Sequence, residues 1–265
     1  MDNRPIGVFD SGVGGLTVVS ELMRVLPHES IVYVGDTARA PYGSKTPETL
    51  MQYGCEIIRF LIEKNVKAVV MACGSSSSVT FDNLSTHFPE LPIIDVIRPG
   101  VQFCAMQLPQ NTRLGFIATT ATVRSGLFSK QLQAIRPDIT LYTRSCPLFA
   151  PMVEAGLRDN PITHWAAKTY VEDWKETIDA LVLGCTHFPL LTDALSAALG
   201  PITFINLAES TALATAIKLN QSTAPSTANP TTHEYFVTGD PIPFNRIARF
   251  LLNKDITAAK IVMIS

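Results

Sequence analysis

The sequence predicts an α/β fold of two pseudo-symmetric domains, each built on a parallel sheet flanked by helices. Two observations support this: short apolar runs alternate with longer segments of helical composition, and the second half of the chain echoes the first. The runs lack polar alternation, as is typical of parallel strands that helices cover on both faces. Strands are predicted at Ile6–Phe9, Ile31–Val34, Ala68–Ala72, Leu114–Ala118, Ile139–Tyr142 and Ala180–Gly184.

The echo is clearest at the first and third runs of each half. Pro5–Asp10 aligns with Arg113–Ala118, and the second run begins 24 residues after the shared glycine in both halves. The third run ends at Cys73 in the first half and at Cys185 in the second. A repeat of this length indicates two similar domains rather than a solenoid. Chance similarity between buried strands rich in Val, Leu and Ala is the alternative.

The domain boundaries follow from the echo. We expect residues 1–97 and 208–265 to form the first domain and residues 98–207 to form the second. The small, polar and Pro-interrupted segment Gln221–His233 is predicted to be a surface loop. After it the chain is expected to return to the first domain through the elements predicted there, a strand at Tyr235–Thr238 and a helix at Pro243–Leu252.

Composition excludes several classes of protein. The chain has 265 residues, 46% of them hydrophobic, which is enough for a substantial core. Its 21 basic and 23 acidic residues leave no positive surplus to attract nucleic acid. No segment approaches the roughly 20 apolar residues of a membrane span, and the N-terminus lacks the apolar stretch of a signal peptide. We therefore expect a cytoplasmic protein that binds neither nucleic acid nor membranes.

Cys73 and Cys185 are candidate acid/base residues. All five cysteines of the chain are expected to be reduced thiols. Functional residues of open α/β sheets lie beyond the carboxyl ends of strands, so both thiols should line an active site in the cleft between the domains. Two opposed bases can remove an α-proton from one face of an amino acid and return one to the other. The alternative is that each cysteine merely fills apolar space.

Neighbouring residues are expected to activate the thiols. Only about a tenth of an ordinary thiol is ionised near pH 7.5, so we expect a helix N-terminus and a polar neighbour to lower the pKa of each cysteine. His187 is the candidate neighbour for Cys185, and Asp10, at the end of the first strand, is the candidate for Cys73.

Two other motifs are weaker. The glycines at 12, 14 and 15 suit a phosphate-binding turn, but their spacing is not Gly-x-Gly-x-x-Gly, and close approach to a small anion explains them equally well. Cys185 and His187 are possible metal ligands, yet a zinc site normally needs three or four and no second cluster is visible. We expect neither a metal nor a cofactor.

Several motifs resemble those of the cofactor-independent glutamate racemases, within the aspartate/glutamate racemase superfamily. The resemblance runs from Pro5 to about Glu209 and resumes at Tyr235–Leu252. The motifs that support it are Asp10-Ser11-Gly12-Val13-Gly14-Gly15, Pro41-Tyr42-Gly43, the segment from Leu183 to Pro189 around Cys185, and the segment from Cys146 to Glu154.

The resemblance implies a role for each matching residue. It implies that Asp10 and Ser11 hold the amino end of the substrate, and that backbone amides of the Pro41-Tyr42-Gly43 segment grip a side-chain carboxylate. It assigns Cys73 to the D-face and Cys185 to the L-face of the substrate. The expected catalytic residues are Cys73, Cys185, Asp10, His187 and, assisting His187, Glu154; the expected substrate-binding residues are Asp10, Ser11, Pro41, Tyr42, Gly43, Gly74, Ser75, Thr186 and His187.

One motif departs from the family pattern. Where the family usually has Ala-Cys-Asn-Thr, this chain has Ala-Cys-Gly-Ser, so Gly74 lacks a side-chain donor and Ser75 keeps a hydroxyl. A lost hydrogen bond of this kind typically costs about 1–3 kcal/mol, which affects affinity or specificity. Asn206 also stands where an aspartate is common.

The activity implied by the resemblance is the interconversion of L- and D-glutamate without a cofactor, supplying D-glutamate for bacterial peptidoglycan, by a homodimer. Two alternatives stay open. One is a racemase for aspartate or another amino acid, and the other is a non-catalytic binding or regulatory protein. The change at Gly74 motivates both, while retention of the two thiols, Asp10 and His187 argues for catalysis.

Overall fold

The computed structural model describes residues 2–220, 231–252 and 257–265. The strands in these ranges are β1 (Ile6–Asp10), β2 (Ile31–Gly35), β3 (Ala68–Met71), β4 (Ile93–Asp95), β5 (Arg113–Ala118), β6 (Thr140–Ser145), β7 (Ala180–Leu183), β8 (Thr203–Asn206), β9 (His233–Val237) and β10 (Lys260–Ile261). The α-helices are α1 (Leu16–Val25), α2 (Pro47–Glu63), α3 (Gly74–His87), α4 (Ile97–Gln107), α5 (Thr120–Ser125), α6 (Leu127–Ile135), α7 (Phe149–Glu154), α8 (Pro161–Val171), α9 (Thr192–Leu199), α10 (Leu207–Lys218) and α11 (Pro241–Leu252).

The strands form two parallel sheets. The first has the order β10-β9-β2-β1-β3-β4 and the second the order β6-β5-β7-β8. The four strands β2-β1-β3-β4 repeat the order of β6-β5-β7-β8, so the predicted α/β fold with internal symmetry is confirmed. Each of the six predicted strands is present. The fourth strand of each half, β4 or β8, escaped prediction because one is only three residues long and the other is partly exposed.

The pairing register makes the two cysteines equivalent. Gly7 pairs with a residue of β3 and Gly115 with a residue of β7, and each thiol lies four residues beyond that partner. Since parallel strands end at the same edge of a sheet, Cys73 and Cys185 emerge at corresponding points of the two sheets. The third-strand part of the echo therefore reflects structure.

The equal spacing between the shared glycine and the second run of each half does not reflect structure. Gly7 pairs with Val32 and Gly115 with Tyr142, so the second half needs two more residues to reach the equivalent position. Ile139, expected to begin the second strand of that half, lies just before β6 and is buried in the core. The match of 24 residues was coincidental because the loop lengths differ.

Helices cover the faces of both sheets. The residues of β1 and β2 are buried throughout, as expected for strands covered on both sides. Helix α2 begins after Thr46, whose side chain accepts the amide of Thr49, and it has Pro47 in its first turn. These local signals fix where the helix that follows the β2 loop begins.

The C-terminal segment returns to the first sheet. Strand β9 pairs with β2, and β10 pairs with β9. Strand β9 begins earlier than predicted, at His233, which pairs with Ile31, so the predicted surface loop is wrong at its last residue. Residues 221–230 of that loop lie outside the described residues. The domain boundaries at 97/98 and 207/208 stay predictions.

Other global features concern membranes and thiols. In the portions of the chain that the structure describes, no helix has the length and apolarity required to cross a bilayer. All five cysteines are free thiols. Four of them, including Cys73 and Cys185, are buried.

Candidate active site

A cavity of about 80 Å³ lies between the two sheets, lined by loops that follow β1, β2, β3, β5, β6 and β7. This volume suits a small molecule rather than a polymer. The structure brings together all but one of the residues expected from the sequence. Those that line the cavity are Asp10, Ser11, Pro41, Tyr42, Gly43, Cys73, Gly74, Ser75, Cys185, Thr186 and His187. Glu154 lies behind His187.

Cys73 occupies the N-cap position of α3, so the helix N-terminus expected beside this thiol is present. Backbone N–H groups of Ser11 and Ser76 bond to its sulfur and favour the thiolate. Burial, followed by the charge of Asp10, nevertheless raises the pKa of Cys73 well above its ordinary value. The expected lowering of this pKa is therefore wrong: Cys73 is held as a neutral thiol.

Cys185 has a different backbone setting. It lies in a turn before a short 3-10 helix (Phe188–Leu191), and α9 begins only at Thr192. The expected helix N-terminus at Cys185 is therefore wrong, because Pro189 and the 3-10 turn separate the thiol from the helix. The carbonyl of Cys185 accepts the amide of Phe188 at 3.0 Å.

In place of a helix N-terminus, Cys185 has a relay of side chains that it forms with His187 and Glu154. His187 Nδ1 lies 3.7 Å from Cys185 Sγ, and its Nε2 lies 2.6 Å from Glu154 Oε1. Burial lowers the pKa of His187, but its hydrogen bonds to Cys185 and Glu154 outweigh burial and hold it well above the ordinary value. Burial likewise raises the pKa of Glu154, but the hydrogen bond and the charge of His187 outweigh burial, so the pKa of Glu154 is lowered. The arrangement is an imidazolium between the carboxylate of Glu154 and the sulfur of Cys185.

The relay also contacts the loop that follows β1 of the first sheet. Glu154 Oε1 also accepts the backbone N–H of Val13 at 2.8 Å, across 141 residues of sequence. The loop after β1 therefore holds the carboxylate that orients His187. The same loop carries Ser11, whose backbone N–H bonds to Cys73, so one loop contacts residues that serve both thiols.

Asp10 anchors the same loop. Its side chain is fully buried, and Oδ2 accepts the amides of Gly12 and Gly15 at 3.2 and 2.9 Å. Among the described residues, neither Asp10 Oδ1 nor Thr186 Oγ1 has a hydrogen-bond partner. Because buried polar atoms are normally paired, these two atoms in cavity-lining residues suit a polar group such as an amine. Burial raises the pKa of Asp10.

Glycines of the first sheet's loops allow the two halves to meet closely. An added Cβ at any of four positions would approach a residue of the second sheet's loops more closely than side chains tolerate. The pairs are Gly12 with Glu154, Gly14 with His187, Gly43 with Thr119, and Gly74 with Gly184. The glycine-rich turn thus serves a protein contact, which accounts for it without a phosphate.

Several lining residues escaped sequence analysis. Thr119 and Thr120 directly follow β5, and Thr119 corresponds to Ser11 after β1, so the internal echo contained the signal for it. The hydroxyl of Thr119 lies 2.8 Å from that of Ser75 and 3.0 Å from that of Thr122. The others are Ser44, Pro147, Ala150 and Pro151.

The structure offers little for a metal. No group of three or more His, Cys, Asp or Glu side chains in residues 2–220, 231–252 and 257–265 is placed to bind one. Of the pair considered from the sequence, His187 already has both ring nitrogens engaged, by Cys185 and by Glu154.

Known proteins resemble this chain in both sequence and fold. A glutamate racemase of Geobacter metallireducens is 40% identical over 256 residues, covering 95% of this chain and 94% of the relative. The structure of a Francisella tularensis glutamate racemase in complex with D-glutamate matches with a TM-score of 0.88 and 34% identity, covering 99% of this chain and 98% of that one. A glutamate racemase isoform from Bacillus anthracis matches with a TM-score of 0.90, 34% identity and the same coverage.

The family model described as Asp/Glu/Hydantoin racemase matches residues 15–243, which include both thiols and the relay. This match and the relative aligned over 95% of the chain therefore confirm the resemblance seen in the sequence motifs. Two cysteines at equivalent strand ends, a shared cavity and these relatives lead to one conclusion: the chain belongs to the Asp/Glu/Hydantoin racemase family.

Proposed function

We propose that this protein is an isomerase that interconverts L- and D-glutamate by proton transfer between two thiols, without a cofactor. One observation supports this above all: Cys73 and Cys185 emerge at register-equivalent strand ends and line one small cavity. A base on each face of the α-carbon is what racemisation requires. The relatives named glutamate racemases, one of them with D-glutamate bound, support glutamate as the substrate.

The reaction can be written atom by atom. With L-glutamate bound, the thiolate of Cys185 takes the α-proton, so a Cα–H bond breaks and an S–H bond forms. The electron pair remains on the substrate as a carbanion-like centre, and the thiol of Cys73 delivers its proton to the opposite face, becoming a thiolate. The imidazolium of His187 stabilises the Cys185 thiolate before the transfer, whereas burial keeps Cys73 protonated. The reverse reaction exchanges the two roles.

The remaining residues bind the substrate. The free oxygens of Asp10 and Thr186 suit the amino group, with Ser11 beside them. The N-terminus of α3, at Gly74 and Ser75, presents amide donors to the developing negative charge. The turn of Pro41, Tyr42 and Gly43 is assigned to the side-chain carboxylate, in agreement with the family motif. The close contact between the halves at the four glycines restricts the space around the reacting centre.

The cellular role and assembly are further proposals. We place the enzyme in the cytoplasm, where it would supply D-glutamate for peptidoglycan, and we propose that it works as a homodimer. Light scattering after size-exclusion chromatography measures the mass directly. A monomer of 28.8 kDa at working concentrations would contradict the dimer without affecting the reaction.

The deciding experiment follows the α-proton of L- and D-glutamate in deuterated buffer by NMR, with optical activity recorded in parallel. We expect each enantiomer to exchange its α-proton and decay to a racemate. Both aspartate enantiomers are the comparators. Activity on aspartate alone would replace the substrate, and binding of glutamate without exchange would mean that the fold is used for binding only.

A further inference from the structure

A buried carboxylate outside the cavity controls the turn that carries Tyr42. Asp36 directly follows β2, and its side chain is fully buried. Its two oxygens accept the Nε of Arg39 at 2.9 and 2.7 Å, the hydroxyl of Thr238 at 2.8 Å and the hydroxyl of Tyr42. Burial and the charge of Asp36 raise the pKa of Tyr42, so this hydroxyl stays protonated and donates.

The C-terminal segment completes this network. The hydroxyl of Thr238 donates to Asp36 and accepts the backbone N–H of Ala38 at 3.0 Å. One residue later, the N–H of Gly239 donates to the hydroxyl of Thr37 at 2.9 Å. Thr238 and Gly239, which directly follow β9, therefore hold three successive residues after β2, across 200 residues of sequence in one contact and 202 in the other two.

Charge pairing fixes the side chain of Asp36. The guanidinium of Arg39 bridges Asp36 and Glu56, and it stacks 4.0 Å from the centre of the Tyr53 ring. An unpaired buried carboxylate would be strongly unfavourable, so Asp36 and Arg39 hold each other in place. The hydroxyl of Tyr42 is attached to this rigid group, while the residue itself lines the cavity.

We propose that Asp36 and Thr238 are positioning residues that hold the turn at Tyr42–Ser44 in the geometry needed to bind the side-chain carboxylate of glutamate. The inference rests on the proposed function. A rigid set of backbone donors binds a carboxylate at one distance from the reacting carbon, because moving the turn would require breaking several buried hydrogen bonds. The two residues therefore set the side-chain length that the enzyme accepts. Neither touches the thiols.

The test compares Thr238→Val with Thr238→Ser, because valine keeps the shape and loses the hydroxyl, whereas serine keeps the hydroxyl. We expect Thr238→Val to raise KM for both glutamate enantiomers about tenfold and to change kcat by less than about twofold. A loosened turn weakens binding of the ground state and of the transition state by the same amount, which raises KM and leaves kcat unchanged. Thr238→Ser should restore KM to within about twofold of the wild type. Asp36→Asn should raise KM at least as much as Thr238→Val.

Each outcome is informative. Unchanged KM in a folded Thr238→Val protein, verified by circular dichroism and thermal unfolding, would overturn the inference. So would a fall in kcat with KM unchanged, because the network would then serve the thiols. Wild-type protein is measured first: if it does not racemise glutamate, the proposed function fails and the inference falls with it. If the wild type is active and both Thr238 variants match it, only the inference fails.

Discussion

The backbones beside the two thiols touch: a Cβ added to Gly74 would stand 2.5 Å from the carbonyl oxygen of Gly184. Gly74 follows Cys73 in the chain, and Gly184 precedes Cys185. In this structure the departure from the family's asparagine is thus not merely a lost donor. A side chain at 74 would have to displace the strand end that carries the second thiol, since a backbone carbonyl cannot rotate away as a flexible side chain can.

We therefore expect Gly74→Ala to lower kcat/KM for glutamate by at least about tenfold, because separating the thiols by a few tenths of an ångström disturbs reacting geometry. Steady-state racemisation measured by circular dichroism checks it. Asn83→Ala, on the exposed side of the same helix, is the matched control and should leave the rate unchanged. Wild-type activity in Gly74→Ala would show that the contact yields easily and that the glycine has no steric role.

Replacing either thiol should abolish racemisation. Cys73→Ser and Cys185→Ser are each expected to lose at least about 100-fold in kcat, because a hydroxyl is a far weaker acid than a thiol: it hardly ionises to a base near neutral pH and gives up its proton less readily. Cys55→Ser, which changes a partly exposed cysteine of α2, should retain full activity. If either active-site variant kept near-normal turnover, the two-thiol mechanism would be wrong.

The relay gives a prediction about pH. Glu154 raises the pKa of His187, so Glu154→Gln, which keeps a hydrogen-bonding group without the charge, should lower that pKa. The protonated imidazole is then lost at a lower pH, and the alkaline limb of the kcat/KM profile should move to lower pH. Glu172→Gln, at an exposed carboxylate, is the control. An unmoved alkaline limb would mean that His187 does not act through its charge.

The acidity of Cys73 should respond to Asp10. After burial, the charge of Asp10 is the largest influence that raises the pKa of Cys73, so Asp10→Asn should lower it. Thiolate absorbance in the ultraviolet, titrated with and without the Cys73→Ser change, isolates this one group. Asp193→Asn, at an exposed position in α9, should leave the titration as it is. A pKa of Cys73 that stays constant or rises in Asp10→Asn contradicts the assignment.

An ion pair far from the cavity should matter for stability only. Lys67 Nζ lies 2.5 Å from Glu29 and donates to the carbonyl of Asp2 at 2.7 Å, and both charged side chains are largely buried. Lys67→Met leaves a carboxylate without its partner and should lower the free energy of unfolding by about 3 kcal/mol, with kcat unchanged. Urea unfolding measures it. Lys168→Met breaks an exposed pair and should cost less than about 1 kcal/mol; equal losses would refute the argument from burial.

Local sequence predicted the long, buried strands and both thiols, because apolar runs and strand ends depend on neighbouring residues, whereas the short or partly exposed strands β4, β8 and β10 escaped it. The positions of Cys73 and Cys185 followed from the echo between the halves, and the structure makes them equivalent in register. The activation of the thiols could not be predicted in this way. The pKa of Cys73 depends on how deeply it is buried and on how near Asp10 lies, and neither is a property of spacing along the chain.

The sequence by itself determined the fold class, the two cysteines and the family, because each depends on short-range patterns or whole motifs. Neighbouring residues and family motifs also pointed to Asp10, His187 and Glu154, but only the tertiary structure decided how these residues contact the thiols and one another. Glu154 reaches His187 and Val13, and Thr238 reaches Asp36, through contacts between segments that are remote in the sequence. Such contacts depend on how two sheets pack and where a returning C-terminal strand lies, which no local pattern specifies.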